Sequence, residues 1–155
     1  MGVRKRLAVT IGSIEWMPRY LPQIVKCDSA IQKVTGQRYS LLDIADLPNI
    51  TLDVPGRKSG IVRRTRLLSA PDGADRLIAG SYFGAASMPQ WVYNVRAADT
   101  IGVSHGGRQW DCVPTELSGD ERAQAWQVLR SVWPNFDLYE QRTQRQIPVF
   151  RLRPR

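Results

Sequence analysis

The chain is poor in the residues from which metal and nucleophilic centres are usually built. Its 155 residues include one histidine, His105, and two cysteines, Cys27 and Cys112. A Cys/His zinc centre draws on about four closely spaced ligands, so no metal site is expected. Two lone cysteines make no disulfide scaffold and suit a reducing compartment, which points to the cytoplasm. His105 stands beside Gly106-Gly107-Arg108 with no nucleophile-elbow pattern near it, so no Ser-His-Asp triad is expected. Long hydrophobic runs are also missing. The apolar stretch Leu7 to Ile14 is interrupted by Thr10, Gly12 and Ser13, too short a run to cross a bilayer. No small-residue cleavage site of the signal-peptide kind follows it. Acidic residues are few: 14 Asp+Glu stand against 22 Lys+Arg, a net charge of +8. That surplus favours an anionic partner, whether nucleic acid, a membrane surface, or a phosphorylated or polycarboxylate ligand.

What is present reads as one globular domain. Hydrophobic residues make up 43% and charged residues 23% of the chain, and the length leaves room for a single ordinary domain. Residues 1–48 read as an N-terminal helical extension. Val3, Leu7, Ile11 and Ile14 fall at helical spacing behind the basic triplet Arg4-Lys5-Arg6. That segment reads either as a helix lying on the domain or as an interfacial helix on an anionic membrane, at the inner face of the plasma membrane. A second helix is expected over Arg19 to Thr35, with Gly36 as its C-cap, and a short helical turn within Tyr39 to Pro48.

Residues 49–155 change period. Ile50 to Val54, Ile61 to Ala70 and Arg76 to Ser81 read as three strands on short connections, with a turn at Pro71-Asp72-Gly73, hence an antiparallel meander. A helix begins near Pro89. Ile101 to His105 and Arg108 to Leu117 are joined by Gly106-Gly107, a strong hairpin signal. Ser118-Gly-Asp-Glu121 matches a capping box before a further helix, which Pro134 stops. Phe136 to Arg145 reads as a short helix and Ile147 to Leu152 as a last strand. The expected class is α+β: a small six-stranded antiparallel split β-barrel with surrounding helices.

Three stretches can carry chemistry. In Gly56-Arg57-Lys58-Ser59-Gly60, two glycines let backbone N–H groups converge on an anion, beside two full charges and a hydroxyl. Arg63, Arg64 and Arg66 follow. Ala79-Gly80-Ser81, then Pro89-Gln-Trp91 and Asn94, put a strand end next to a helix N-terminus. Trp133, Phe136 and Tyr139 recur every third residue, either as a packed face or as an aromatic wall over a flat substrate with the Tyr139 hydroxyl as a donor.

Together these blocks resemble the deazaflavin-dependent nitroreductase family. The residues that carry the resemblance are Gly56 to Gly60 with Arg63, Gly80-Ser81 with Gly84, Pro89, Trp91 and Asn94, and Trp133-Pro134 with Tyr139, Arg145, Ile147 and Pro148. The resemblance runs from about Ile50 to Phe150. It implies a split β-barrel related to flavin-binding oxidoreductases and hydride transfer from reduced coenzyme F420 to an electron-poor organic acceptor: an enone, a quinone or a nitro compound. Arg57, Lys58 and Arg63 would then hold the cofactor's phosphate and oligoglutamate tail, with Ser59 and Gly60 as loop contacts. Leu67 and Leu68 would sit under the deazaflavin ring. Ala79, Gly80 and Ser81 would line its polar edge, and Trp91 and Asn94 would complete the pocket. Trp133, Phe136 and Tyr139 would shape the substrate side, with Tyr139 as the catalytic hydroxyl.

Three positions depart from the family pattern. Tyr82 stands where some relatives carry a basic residue, and Arg66 where many carry proline. Phe136 stands where nitroreductase members carry tyrosine, which counts against nitro-compound reduction in particular. The rival readings are a flavin mononucleotide oxidoreductase on the same barrel and, in another class, a basic nucleic-acid- or membrane-binding module. No helix-turn-helix or RNA-binding signature is present, so no nucleic acid partner is expected. A homo-oligomer is compatible with the sequence.

Overall fold

The structure is a computed structural model and describes residues 2–15, 17–36 and 39–155. Met1 and Trp16, the two ends of the N-terminal segment considered above, lie outside the described residues. Helix α1 (Val3–Gly12) is followed by a 3-10 turn (Met17–Tyr20), α2 (Leu21–Val34) and the single-turn α3 (Leu41–Ile44). Seven strands then alternate with three more helices: β1 (Asn49–Pro55), β2 (Val62–Leu68), β3 (Ala70–Asp72), β4 (Asp75–Ala79), α4 (Gln90–Arg96), β5 (Ile101–His105), β6 (Arg108–Glu116), α5 (Gly119–Val132), α6 (Phe136–Arg142) and β7 (Val149–Pro154).

The strands form one antiparallel sheet in the order β2-β1-β5-β6-β7-β4-β3. Two expectations are corrected here. Among the described residues there are seven strands and not six, because the run Ile61 to Ala70 breaks at Ser69 into β2 and β3. The three-strand meander is also absent: β2 pairs only with β1, while β4 pairs with β3 and the C-terminal β7. The edge strands β2 and β3 are separated in the chain by Ser69 alone. The two edges of the sheet must therefore approach each other at that residue, and the sheet curls into a half-barrel. Ser69 is fully buried, and its N–H donates to the Pro48 carbonyl at 2.9 Å. Pro71 is tolerated inside β3 because β3 is an edge.

Alternation within strands sorts the core into two layers. Ile50, Leu52 and Val54 of β1, Ile78 of β4, and Phe150 and Leu152 of β7 point into the curl, where Val92 and Val95 of α4 cover them. Their neighbours Leu77 and Val149 point the other way, onto Trp126 and Leu129 of α5, Phe136 and Tyr139 of α6, and Trp133 between the two helices. The Gly106-Gly107 hairpin forms as expected, with both glycines at positive φ and His105 opposite Arg108. The Ser118 capping box does not form: Ser118 is the N-cap of α5 but makes no side-chain cap bond.

A capping box forms instead at α3. Ser40 accepts from the Asp43 N–H, and the Asp43 carboxylate accepts from the Ser40 N–H at 2.8 Å. The same carboxylate accepts from Asn49 Nδ2 and from Arg66 Nη1, each at 2.7 Å, which ties α3 to β1 and β2. Burial alone would raise the Asp43 pKa. Hydrogen bonds from Asn49 and Ser40, with the Arg66 charge, outweigh it and hold the carboxyl below its ordinary value. A depressed carboxylate pKa contributes stability that is complete above its unfolded value and is lost as the pH falls through its folded value. Asp43→Asn is therefore expected to melt below wild type near neutral pH, with the gap closing below about pH 4. Thermal melts of both proteins across that range measure it. A constant gap would show that the carboxylate charge does not hold α3.

Candidate functional site

The Gly56–Gly60 loop joins β1 to β2 and is folded by its own backbone. Gly56 N–H donates to the Ile61 carbonyl at 2.8 Å, and Gly60, at φ +70°, donates to the Gly56 carbonyl at 2.7 Å. A Cβ on Gly56 would come within 2.8 Å of Ser59 Oγ and 3.3 Å of the Ile61 carbonyl oxygen, so a side chain there would displace the Ser59 hydroxyl. Ser59 Oγ accepts from the Ile61 N–H, which leaves its own proton for an anion. Helix α4 orients the loop. Asn94 is buried, and its Oδ1 accepts from the Arg57 N–H at 3.1 Å and from Arg57 Nη1 at 3.3 Å. Gln90 Oε1 accepts from the same nitrogen at 3.4 Å, and the guanidinium lies 4.8 Å from the Tyr93 ring centroid. Arg57 is thus fixed by neutral oxygens and a π face, and its charge stays uncompensated.

The basic residues divide into two sets. Arg64 pairs with Asp53 at 2.7 Å and Arg66 with Asp43 at 2.7 Å. Arg57, Lys58 and Arg63 have no ion-pair partner among the described residues. Those three surround a cavity of about 520 Å³ together with Ser59, Trp91 and Asn94. Uncompensated cations converging on one hollow are the electrostatic signature of a site for an anion.

A second cavity, of about 1100 Å³, adjoins the first: Arg64, Thr65 and Trp91 line both. It runs along β2, where the consecutive residues Arg64 to Leu68 all contribute. Consecutive strand residues point to opposite faces, so the hollow follows the unpaired edge of β2, where main-chain donors and acceptors are on offer. Leu67, Leu68, Ala79, Ser81, Trp133, Phe136 and Tyr139 also line it. Gly80 lines neither hollow and packs against α4: a Cβ there would come within 2.7 Å of Val92 Cγ2. Gly60 belongs to the loop and lines neither hollow. Trp133, Phe136 and Tyr139 are each less than a tenth exposed and belong to the core as well as to the cavity wall. Trp133 Nε1 donates to the Tyr139 hydroxyl at 3.2 Å, and burial raises the Tyr139 pKa.

Reasoning from sequence missed four positioning contacts. Tyr93 and Gln90 hold Arg57. Asp43 neutralises Arg66. Arg145 clamps the segment after β4: its Nε donates to the Ala85 carbonyl, Nη1 to the Gly80 carbonyl and Nη2 to the Ser81 carbonyl, at 2.9–3.0 Å. Only Arg145 carried a signal, its place before Ile147-Pro148.

A basic hollow that opens into an apolar slot suits a flat ring bearing an anionic chain. Comparison with known proteins agrees. The family model for F420H(2)-dependent quinone reductases matches residues 26–154. The chain belongs to that family. An F420H(2)-dependent quinone reductase of Mycobacterium tuberculosis is 28% identical over 138 residues, covering 86% of this chain and 93% of that protein. Among solved structures, an F420-H2 dependent reductase superposes with a TM-score of 0.63 at 30% identity, covering 68% of this chain and 93% of that one. A structure described as a domain-swapped dimer gives 0.64 at 30% identity, covering 68% and 79%. The F420H(2)-dependent quinone reductases are oxidoreductases whose cofactor is coenzyme F420. Membership in this family favours neither flavin mononucleotide chemistry nor a non-catalytic binding module.

Proposed function

We propose that the chain holds reduced coenzyme F420 across its two joined cavities and reduces a quinone in the apolar one. The observation that carries this reading is the junction of three uncompensated cations with an apolar slot, in a member of this family. The donor set fits the group: Arg57, Lys58 and Arg63 and the Ser59 hydroxyl face the hollow for the anionic chain, with Gly60 shaping the turn that carries them. Leu67 and Leu68 would lie against the ring, Ala79, Gly80 and Ser81 along its polar edge, with Trp91 and Asn94 closing the pocket.

When bound, coenzyme F420 supplies the hydride. The chain supplies position, charge neutralisation and a dry slot. Its apolar walls hold the acceptor beside the ring and exclude bulk water, which lowers the entropic part of the barrier and strengthens local electrostatics. A quinone that gains a hydride needs one proton to become the hydroquinone. Tyr139, like any tyrosine, is protonated at neutral pH, burial only raises its pKa further, and it is our candidate to hydrogen-bond the acceptor oxygen. Trp133 fixes its ring, and Phe136 packs edge-on against it at 6.1 Å. Water entering at the cavity mouth is the other proton source.

The curled sheet supports a split β-barrel over residues 49–155, with residues 1–48 as a helical extension. None of the described helices is long and apolar enough to cross a membrane. Exposed Val3, Leu7 and Ile11 on the helix that carries Arg4, Lys5 and Arg6 support contact with an anionic membrane surface from the cytoplasmic side. The domain-swapped relative supports a homo-oligomer.

The experiment follows the absorbance of reduced coenzyme F420 on addition of a quinone, with reduced flavin mononucleotide in parallel. Oxidation of the deazaflavin that requires both protein and quinone is expected, with no turnover of the flavin. Turnover of the flavin alone would replace this assignment.

A further inference from the structure

Arg145, in the link between α6 and β7, carries a charge that neither hollow accounts for. It has no ion-pair partner among the described residues, and no acidic group bears on it. Its guanidinium is held by carbonyls: Nη1 donates to the Gly80 oxygen and Nη2 to the Ser81 oxygen, each at 2.9 Å, and Nε to the Ala85 oxygen at 3.0 Å. Met88 Sδ, 3.5 Å from Nη1, is a fourth neutral neighbour. Burial lowers the Arg145 pKa, but an arginine keeps its charge near neutral pH. A half-buried charge without a counter-ion is costly, and hydrogen bonds to carbonyls offset only part of that cost. Unpaired charges of this kind cluster at functional sites.

Two of the bonded carbonyls belong to consecutive peptide groups, Gly80-Ser81 and Ser81-Tyr82. In a trans peptide the N–H lies opposite the carbonyl, so the Ser81 and Tyr82 N–H groups lead away from the guanidinium. Neither donates to an acceptor among the described residues. Ser81 and Tyr82 both line the apolar slot, whereas Arg145 does not. The backbone turns sharply at this point. Ser81 is right-handed, at φ −71° and ψ −39°, while Tyr82 and Phe83 are left-handed, at φ +45° and +55°. A right-handed residue followed by a left-handed one brings successive N–H groups to one side, where they can hold an anionic oxygen. Non-glycine residues stay in the left-handed region only where their surroundings hold them. The bonds from Arg145 to residues 80, 81 and 85 bracket these two.

We infer that Arg145 sets the charge state of the bound ring: acting through these two peptide groups, it presents paired N–H dipoles and a positive potential to the polar edge of coenzyme F420 and favours the ring's anionic form. The inference rests on the cofactor reading above and gives a role to a residue outside the pocket wall. The oxidised deazaflavin carries an acidic ring hydroxyl conjugated with the carbonyls of its polar edge, so the charge left by ionisation reaches that edge. A unit charge acting across one peptide group in a partly buried site shifts such an ionisation by roughly one pH unit. Arg145 is thus a positioning residue. The other ionisable groups nearby are Tyr93 of α4, beside Arg145 itself, and Tyr82 and Tyr139 on the slot, with Arg142 of α6 over the Tyr139 ring. On β2, Arg64 and Arg66 are matched by Asp53 and Asp43. Arg4 of α1, Asp28 of α2 and Tyr39 line the slot from the N-terminal segment. All of these stay unchanged in the variants of the test.

The test is a pH titration of the protein loaded with oxidised coenzyme F420, whose visible absorbance changes as the ring hydroxyl ionises. The wild type is expected to ionise the bound ring at a lower pH than the free cofactor. Arg145→Gln is expected to raise the bound midpoint by about one pH unit, and Arg145→Lys, which keeps the charge, to restore most of the difference. Met88→Glu sets a carboxylate beside the guanidinium and leaves its carbonyl bonds in place. It too is expected to raise the midpoint by about one pH unit, while the isosteric Met88→Gln leaves it within about 0.3 units of wild type. This second pair keeps the test decisive if Arg145→Gln fails to fold, which circular dichroism checks. Equal midpoints for Met88→Glu and Met88→Gln, or a wild-type midpoint in folded Arg145→Gln, would overturn the inference and reduce Arg145 to a clamp on the turn. The cofactor reading would then still stand. A wild type that shows no binding of the oxidised cofactor by fluorescence titration would overturn that reading, and this inference with it.

Discussion

Arg57→Ala is expected to weaken binding of coenzyme F420 by roughly tenfold or more, and Arg57→Ala/Lys58→Ala by roughly a hundredfold. Hydrogen bonds to charged groups contribute about 1.5–3 kcal/mol, and about 1.4 kcal/mol is a factor of ten. The Arg57 guanidinium is already aligned by Asn94, Gln90 and the Tyr93 ring. An arginine held this way gives up little conformational entropy on binding an anion. Its neighbours supply the internal control. Arg64 lies close by on β2 but is neutralised by Asp53 through two hydrogen bonds, at 2.7 and 3.1 Å. Arg64→Ala is expected to change affinity by less than about threefold. Affinity should also fall with added salt, and less steeply in the double variant, because fewer cations then act. Equilibrium fluorescence titration with the oxidised cofactor measures all of these. Equal effects at Arg57 and Arg64 would mean that the anionic chain is held by general positive potential and not by the loop.

Local signals in the chain were legible and non-local ones were not. Gly106-Gly107 announces its hairpin because the turn demands two residues at positive φ. The Gly56–Gly60 loop announces itself through two glycines around two cations. The division at Ser69 is invisible in the strand pattern: β-period residues continue on both sides, and only pairing with distant β7 shows that the second piece belongs to the other edge. The box at Ser40 was missed because Asp43 stands where glutamate is usual, while Ser118-Gly-Asp-Glu121 has the usual residues and makes no side-chain cap bond. For the site, the cations and the aromatic wall could be named in advance. The sorting of five cations into two neutralised and three open depends on Asp43 and Asp53, which lie 23 and 11 residues from the arginines they neutralise. No spacing rule covers such separations.

The second large effect is structural and falls where the cavity meets the core. Gly84→Ala is expected to lower stability by about 2–5 kcal/mol. Gly84 closes the short 3-10 turn Tyr82–Gly84 after β4, at φ +78°. A side chain in that backbone region costs roughly 1–2 kcal/mol. The added Cβ would also sit 2.7 Å from the Tyr139 carbonyl oxygen and 2.8 Å from Arg142 Cβ. The carbonyl is main chain of α6 and cannot swing aside, so the helix must move or the turn must open, at about 1–3 kcal/mol of packing strain. In a domain of this size that loss corresponds to a fall in melting temperature of roughly 5–15 °C. Gly73 separates the two contributions. It too has a positive φ, +61°, but a Cβ there meets nothing within 4 Å. Gly73→Ala therefore carries the backbone penalty alone and should lower stability by only about 1–2 kcal/mol. Movement of α6 would displace Tyr139 and Phe136 together, because both rings are fixed to that helix and Phe83 of the turn packs edge-on against Tyr139 at 5.6 Å. Gly84→Ala should then impair quinone turnover at temperatures where the protein is still folded, while the Gly56–Gly60 loop, at the far end of the joined cavities, keeps its affinity for the anionic chain of the cofactor. Melts of the two alanine variants, with turnover and cofactor titration measured below both transitions, give the answer. Equal melting temperatures for Gly84→Ala and Gly73→Ala would show that α6 yields freely to the added methyl group and that the acceptor wall is not rigidly tied to the turn.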